Sequence, residues 1–319
     1  MPRMPQRNLS SVQARGCSWP PYPLSAGVKA MRLPEFEYAE PRSVAEVCAL
    51  LGEDPGGSAV IAGGTDVLVN LKEGFADYRR LVSLRRVPEL GRIDYSEARG
   101  LVIGAMATVN QVARHDAIRK RYPGLVDAAK SLAADQVRNL ATVAGNLCSA
   151  IPSADTAPIL LAHDAQLRVV STAGERTVRL REFFTGPGTT VLRPDEVVVA
   201  VEVPAPPPGT GDASLRQGGR ATLSLPLASA AAVVRIEGEL CREVSLALGA
   251  VAPTPIVAAS VAERLAGKKL TAARLAEAGE LASAASRPID DLRSTGEYRL
   301  ELVKVLARRA LSRAAERAK

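Results

Sequence analysis

The sequence predicts an α+β fold that is divided into three compact units. Near the N-terminus a short apolar strand runs through a glycine turn into a helix and then into a second strand, which is the pattern of a small βαβ unit. In the C-terminal third the strand patterns all precede the helix patterns, as is typical of α+β units. A proline-rich segment at residues 205–212 separates these regions and predicts a linker.

The first predicted unit covers residues 31–88. Ser43 followed by Glu46 matches a capping box at the start of a helix over residues 44–51. The βαβ elements that follow are predicted at residues 59–62 (strand), 67–73 (helix) and 80–84 (strand).

The second unit covers residues 89–204 and the third covers residues 213–319. In the second, Pro123 marks the start of a helix. Its elements are predicted at residues 101–104, 166–171 and 196–203 (strands) and 109–116, 125–134 and 157–162 (helices). The third unit is predicted to hold antiparallel strands at 228–236 and 243–249, then helices at 275–285 and 297–318.

Charge and composition argue against a nucleic-acid-binding, a membrane-spanning or a disulfide-rich protein. The net charge is +7, and five of these charges fall in the first 32 residues, which contain no acid. The rest is nearly balanced, which argues against a nucleic-acid partner. No stretch approaches the roughly 18 uncharged apolar residues of a membrane span. The four cysteines show neither a disulfide framework nor metal-ligand spacing, so we expect reduced thiols and a cytoplasmic location.

Residues 1–30 stand apart from the rest of the chain. They carry five prolines and several basic residues but no apolar core of a secretory signal. We expect a mostly disordered extension, or residues upstream of a start codon that belongs at Met31.

Two glycine-bearing loops are the strongest functional signal. The first, residues 61–66, reads IAGGTD, and the second, residues 141–148, reads ATVAGNLC. Backbone N–H groups in such turns form concave nests that suit phosphate oxygens. Taken singly, each loop is more simply a tight turn, because glycine tolerates a positive φ. Together they predict a diphosphate that is held from both sides.

Further motifs occur in a fixed order around these loops. They are MRLPEFEY at 31–38, PRSVAE at 41–46, RPDE at 193–196, DLR at 291–293 and EYR at 297–299. With both loops, this series resembles the FAD-binding medium subunit of the molybdenum hydroxylases, the family of carbon monoxide dehydrogenase, xanthine dehydrogenase and 4-hydroxybenzoyl-CoA reductase. The resemblance implies a two-part FAD-binding fold of the vanillyl-alcohol-oxidase (PCMH) type, followed by a C-terminal α+β domain.

The resemblance also implies which residues contact FAD between the first two units. The first loop would contribute backbone N–H groups and one hydroxyl to the diphosphate, through Ile61, Ala62, Gly63, Gly64, Thr65 and Asp66. The second loop would do the same from the other side, through Thr142, Ala144, Gly145 and Asn146.

Other contacts are implied for the rest of the cofactor. Leu147, Cys148 and Ser149 would approach the flavin ring, and Asp155 would accept hydrogen bonds from the ribityl or ribose portion. Leu192 would pack on the isoalloxazine, and Arg220 would lie near the flavin pyrimidine.

Simpler roles stay open for several of these residues. Asp155 could cap the helix that starts near Thr156, and Asn146 could be a left-handed turn residue. Leu192 could be ordinary core, and Ser149 could be a loop hydroxyl.

Two departures from the family pattern matter. Ala144 stands where relatives usually have glycine, which costs little if its φ is negative. The motifs look closest to the 4-hydroxybenzoyl-CoA reductase branch, but the cysteine-bearing insertion of that branch is absent, because only residues 149–154 separate the second loop from Asp155. We therefore expect no iron–sulfur cluster in this chain.

The resemblance implies an electron-transfer flavoprotein subunit. Its partners would be a small subunit with [2Fe–2S] clusters and a large molybdenum-cofactor subunit, and it would exchange electrons with an external acceptor or donor of unknown identity. With only His115 and His163, the chain is poorly supplied for acid–base catalysis. The alternatives are a stand-alone flavin oxidase or dehydrogenase of the vanillyl-alcohol-oxidase type, and a scaffold subunit that has lost FAD.

Overall fold

A parallel sheet begins the part of the chain that the computed structural model describes, which is residues 33–220 and 223–318. The predicted extension at 1–30 lies outside these residues. Strand order in this sheet is β1-β3-β2, and both pairings are parallel, so the predicted βαβ unit is present. Its elements are β1 (Glu37–Ala39), α1 (Val44–Glu53), β2 (Ser58–Ile61), α2 (Val67–Glu73) and β3 (Arg80–Ser83).

The start of α1 differs in detail from the predicted capping box. The Ser43 hydroxyl accepts a hydrogen bond from the Glu46 N–H at 3.2 Å, as expected. The Glu46 carboxylate, however, accepts from the N–H of Arg42 at 2.8 Å rather than from that of Ser43. The reciprocal bond of a capping box is therefore displaced by one residue. A complete capping box is found instead between Thr108 and Gln111.

The second unit is built on a five-stranded antiparallel sheet of order β4-β5-β10-β6-β7. A 3₁₀ turn at Pro88–Gly91 leads into it, and helices are inserted between its second and third strands in the sequence. The elements are β4 (Ile93–Ser96), β5 (Gly100–Gly104), α3 (Val109–Arg114), α4 (Asp116–Arg121), α5 (Pro123–Ser131), α6 (Asp135–Arg138), α7 (Val143–Cys148), α8 (Ala157–Ala162), β6 (Gln166–Ser171), β7 (Gly174–Arg179), α9 (Leu180–Phe183), β8 (Phe184–Gly186), β9 (Thr189–Thr190) and β10 (Val197–Val203).

The C-terminal unit is a four-stranded antiparallel sheet of order β11-β12-β13-β14. The long helix α12 packs on the first two strands and on α11. Strands before helices were predicted here and are confirmed. The elements are β11 (Thr210–Gly218), β12 (Pro226–Glu237), β13 (Leu240–Gly249), β14 (Ile256–Val257), α10 (Ala259–Leu265), α11 (Ala272–Ala285) and α12 (Gly296–Arg317).

Four predicted elements need correction. The helix predicted at 125–134 begins at Pro123 and ends at Ser131, because Leu132 is extended (φ −70°, ψ 120°). Strand β11 begins at Thr210, so the last three residues of the predicted linker 205–212 belong to a sheet. The helix predicted at 109–116 ends at Arg114, because His115 is extended (φ −69°, ψ 125°) before α4 begins. The second glycine loop is mostly helical, since α7 runs from Val143 to Cys148.

Two hydrophobic cores hold the described residues together. One core is shared by the first two units, so the predicted boundary at residue 88 separates two sheets but not two cores. The other lies between the C-terminal sheet and its helices. Asp212 joins the second and third units, because its carboxylate accepts from the Gly124 N–H at 2.9 Å and lies 2.7 Å from His163 Nε2. His163 follows the last residue of α8 and is buried.

Candidate functional site

The two glycine loops lie against each other where Gly63 of the first loop meets Leu140, the residue before the second loop. A side chain added at Gly63 would place its Cβ 2.1 Å from the carbonyl oxygen of Leu140, which directly precedes the second loop. Gly64 has a φ of +73°, in the left-handed region that favours glycine. Glycine at 63 permits the close approach and glycine at 64 permits the turn. The first loop then leads from the end of β2 at Ile61, through Ala62 and Thr65, into α2.

The second loop is the start of a short helix. Thr142 is its N-cap, and the Thr142 hydroxyl accepts from the Gly145 N–H at 3.0 Å. The preceding N–H groups, those of Val143 and Ala144, have no acceptor within the helix, which is general for a first helical turn. Asn146 is helical, so it is not a left-handed turn residue. Ala144 has a negative φ, as expected for a tolerated replacement of glycine.

A side-chain hydrogen bond also links the two loops at their far ends. The Ser149 hydroxyl, just after α7, donates to the Asp66 carboxylate at 2.5 Å. Asp66 occupies the N-cap position of α2 but makes no capping hydrogen bond there. Ser149 is therefore more than a loop hydroxyl, because its oxygen connects segments 83 residues apart in the sequence.

Asn146 and Asp155 are both held by other side chains. Asn146 Oδ1 accepts from the hydroxyl of Thr156 at 2.6 Å and from its N–H at 3.2 Å. Asp155 forms an ion pair with Arg216 of β11, with Nη1 and Oδ1 2.7 Å apart, and about a tenth of each side chain is exposed. Burial raises the pKa of Asp155, and the Arg216 guanidinium opposes that rise. Asp155 does not cap α8, whose N-cap residue, Thr156, makes no side-chain capping bond.

The basic residue beside Asp155 is thus Arg216, four residues before the predicted Arg220. Arg220 is exposed, and its guanidinium donates to the carbonyl of Leu223 at 2.9 Å within its own loop. Arg216 also donates to the carbonyl of Ser224 at 2.7 Å, which ties the same loop to the ion pair. Arg216 could not be predicted from the sequence, because it lies outside the predicted strands and a single arginine carries no sign of its partner.

Three of the residues predicted to lie near the flavin ring differ in their surroundings. The Leu147 side chain is fully buried in the core, so only its backbone can face a ligand. Burial raises the pKa of the Cys148 thiol to about 12, which keeps it protonated at neutral pH and unreactive as a nucleophile. Leu192 is half-buried and packs against the edge of the shared core, and part of its surface is still accessible.

The RPDE motif next to Leu192 is a structural turn. Glu196 is buried, and its carboxylate accepts from Arg176 Nε at 2.7 Å and from the Arg193 N–H at 2.8 Å. The Arg176 hydrogen bonds lower the pKa of Glu196 against the effect of burial. The motif therefore fixes the segment that carries Leu192.

The arrangement suits an anionic, elongated ligand. Small residues form both walls, and the N–H groups at the start of a helix carry a partial positive charge. The one acid of the first loop is engaged by Ser149. A cavity of about 980 Å³ lies elsewhere, lined by residues such as Cys48, Val102 and Arg168, and it contains no residue of the predicted site. In the described part of the chain, no helix has the length and apolarity that crossing a bilayer requires.

Both parts of the chain match known protein families. Residues 34–206 match the family described as the FAD binding domain in molybdopterin dehydrogenase, and residues 213–314 match the CO dehydrogenase flavoprotein C-terminal domain.

Individual relatives cover nearly the whole chain. The carbon monoxide dehydrogenase medium chain of Hydrogenophaga pseudoflava is 35% identical over 281 residues, which are 88% of this chain and 97% of the relative. The xanthine dehydrogenase FAD-binding subunit of Escherichia coli O157:H7 is 32% identical and covers 87% of this chain and 95% of its own length.

Solved structures agree with the fold. A carbon monoxide dehydrogenase structure from Hydrogenophaga pseudoflava superposes with a TM-score of 0.87 at 34% identity, over 90% of this chain and 99% of that one. The structure of quinoline 2-oxidoreductase from Pseudomonas putida 86 superposes with a TM-score of 0.85 at 31% identity, with the same coverage. The chain belongs to the family defined by the FAD-binding domain of molybdopterin dehydrogenases, and it carries the C-terminal domain of the CO dehydrogenase flavoproteins.

Proposed function

We propose that this chain is the FAD-carrying electron-transfer subunit of a molybdenum hydroxylase complex. FAD can take up and release electrons singly or in pairs, so it can connect one-electron and two-electron partners. The residues of the chain have to bind it, orient it and set its surroundings. No side chain of the site has to act as a general base, which agrees with the supply of only two histidines.

The observation that carries the proposal is the joining of the two glycine loops. Gly63 lies against Leu140, and Ser149 donates to Asp66, so segments far apart in sequence form one binding frame. We infer that the N–H groups of 61–65 and of 142–144 hold the FAD diphosphate from two sides. The N–H groups of Gly145 and Asn146, which were predicted to share this role, are engaged by Thr142 within α7. A pair of unrelated turns would have no reason to be linked at both ends.

Contacts to the rest of the cofactor follow from the same frame. Asn146 and Asp155 are tied to neighbouring elements by Thr156 and Arg216, so both side chains have fixed positions. We infer that Asp155 accepts from the ribityl or ribose hydroxyls and that Leu192 and the 147–149 backbone approach the flavin ring. Arg216, which pairs with Asp155, is a better candidate than the exposed Arg220 for a position near the flavin.

The partners follow by analogy with the relatives. These are named as medium chains or subunits, which indicates assemblies of several chains. We infer a small [2Fe–2S] subunit that exchanges electrons with this chain and a large subunit that holds the molybdenum cofactor and the substrate. A cytoplasmic location fits the reduced cysteines.

The test starts with the purified chain and its chromophore. We expect a visible flavin spectrum, FAD as the species released on denaturation, and negligible turnover of small substrates. Mixing with the reduced [2Fe–2S] subunit should then bleach the flavin absorption. A protein that stays colourless with excess FAD would favour the scaffold alternative, and substrate turnover by the chain alone would favour the stand-alone oxidase.

A further inference from the structure

If FAD binds where the proposed function places it, the hydrogen bond between Asp66 and Ser149 bears on the entry and exit of the cofactor as well as on stability. The two loops are joined at two points. At one end Gly63 touches the backbone of Leu140, and at the other Ser149 Oγ reaches Asp66 Oδ2 at 2.5 Å. Residues 64–65 and 142–144, which are among those assigned to the diphosphate, lie between these points in the sequence.

The two links differ in their ability to open. The Gly63 contact is made by backbone atoms on both sides, so it can separate only if the loops themselves move. The Asp66–Ser149 link joins two side chains, and Asp66 is exposed to solvent. Rotation of either side chain breaks this link without moving the backbone.

Ser149 also has a second acceptor available to it. Its hydroxyl oxygen lies 3.0 Å from the carbonyl oxygen of Gly145, one turn earlier in α7, as well as 2.5 Å from Asp66 Oδ2. A serine hydroxyl carries a single hydrogen, so it can donate fully to only one of these acceptors at a time. The Ser149 hydroxyl can therefore alternate between a closed state on Asp66 and an open state on the Gly145 carbonyl.

We propose that Asp66 and Ser149 form a latch that limits the exchange of FAD. In the closed state the frame around the diphosphate is complete at both ends. In the open state the Ser149 hydroxyl turns to the Gly145 carbonyl, and the frame opens on the Ser149 side. The latch slows entry and exit alike, whereas a side chain that only contacts FAD slows exit alone.

The experiment measures FAD association and dissociation by stopped-flow fluorescence for the wild type, Ser149→Ala, Asp66→Ala and the double variant. We expect both rates to rise in each single variant, by about tenfold for loss of a hydrogen bond to a charged group. The double variant should be no faster than the single ones, because either change opens the same latch. Ser149→Thr keeps the hydroxyl and should restore rates close to those of the wild type.

The results separate the latch from other roles. If only dissociation accelerates, or if the two effects multiply in the double variant, the residues are independent FAD contacts and the latch is wrong. Ser312→Ala removes another hydroxyl that donates to a carboxylate, Glu316, but on α12, and should change neither rate. A wild-type chain that takes up no FAD would refute the proposed function itself, whereas normal uptake with unchanged variants would refute the latch alone.

Discussion

Asp155 and Arg216 form an ion pair that joins the FAD-binding part of the chain to the C-terminal sheet. Their charged atoms are 2.7 Å apart, and the side chains are 9% and 11% exposed respectively. Asp155 lies beside Thr156, which holds Asn146 of the second loop. The C-terminal domain is therefore mechanically connected to the residues assigned to the cofactor, through one arginine on β11.

Replacing Arg216 by Met should destabilise the protein by about 2–4 kcal/mol, because it leaves the Asp155 carboxylate buried without a partner. Urea unfolding of the purified chain measures this. Without its partner the folded pKa of Asp155 should rise further, so the folded state binds the proton more tightly than the unfolded state. The deficit of the variant should then shrink as the pH falls.

Arg220→Met is the matched control for that change. Arg220 is exposed and contacts only its own loop in the described residues, so its replacement should alter stability by less than about 0.5 kcal/mol. Equal losses in the two variants would contradict the role given to the ion pair.

Gly63→Ala should weaken FAD binding and lower stability by about 1–3 kcal/mol. The new Cβ would meet the Leu140 carbonyl oxygen at 2.1 Å, and this atom belongs to the backbone and cannot turn aside. FAD titration followed by fluorescence, together with thermal unfolding, measures both effects. Gly52→Ala in α1 has no atom within 4 Å of the added Cβ, and we expect it to be neutral or stabilising by about 0.5–1 kcal/mol. Unchanged FAD affinity in Gly63→Ala would argue against the close-packed frame.

Glu196→Gln should cost about 1–3 kcal/mol at neutral pH, because the charge that accepts from Arg176 and Arg193 is lost. The folded pKa of Glu196 is lowered, so its stabilising effect is present above the unfolded value of about 4.3 and disappears as the pH falls through the folded value. The wild type should therefore lose stability in acid more steeply than the variant. Acid unfolding followed by circular dichroism measures the two slopes.

Glu175→Gln, on strand β7 next to Arg176, serves as the control. Its nearest cation, Arg168, is 3.9 Å away and both side chains are partly exposed. Its acid unfolding should match that of the wild type. Parallel curves for the wild type and Glu196→Gln would refute the prediction.

Arg299→Met should be among the most damaging single changes, costing about 3–5 kcal/mol. Arg299 is buried at the start of α12, where it donates to the carbonyl of Leu227 at 2.8 Å and pairs with Asp291 at 2.8 Å. Leu292, which follows Asp291 in the DLR motif, is fully exposed, so Leu292→Ser should leave the unfolding midpoint unchanged. Chemical denaturation of both variants tests this, and similar midpoints would contradict the structural role given to Arg299.

Much of the architecture was predictable from local sequence patterns. The βαβ unit, the bounds of α2, α8 and β6, and the strand-then-helix order of the C-terminal unit were all readable, because periodicity, prolines and caps act over a few residues. The two glycine loops were readable for the same reason, and the family resemblance fixed the cofactor as FAD.

The contacts between distant side chains could be seen only in the folded structure. Arg216 on Asp155, Ser149 on Asp66 and Leu140 against Gly63 are pairs separated by 61, 83 and 77 residues, and no local pattern predicts such contacts. The helical form of the second loop also depended on its surroundings, since a run such as TVAGN favours a turn as readily as a helix start. Local chemistry thus set the elements, and long-range packing set the partners, because pairing free energy is gained only when the cores bring the elements together.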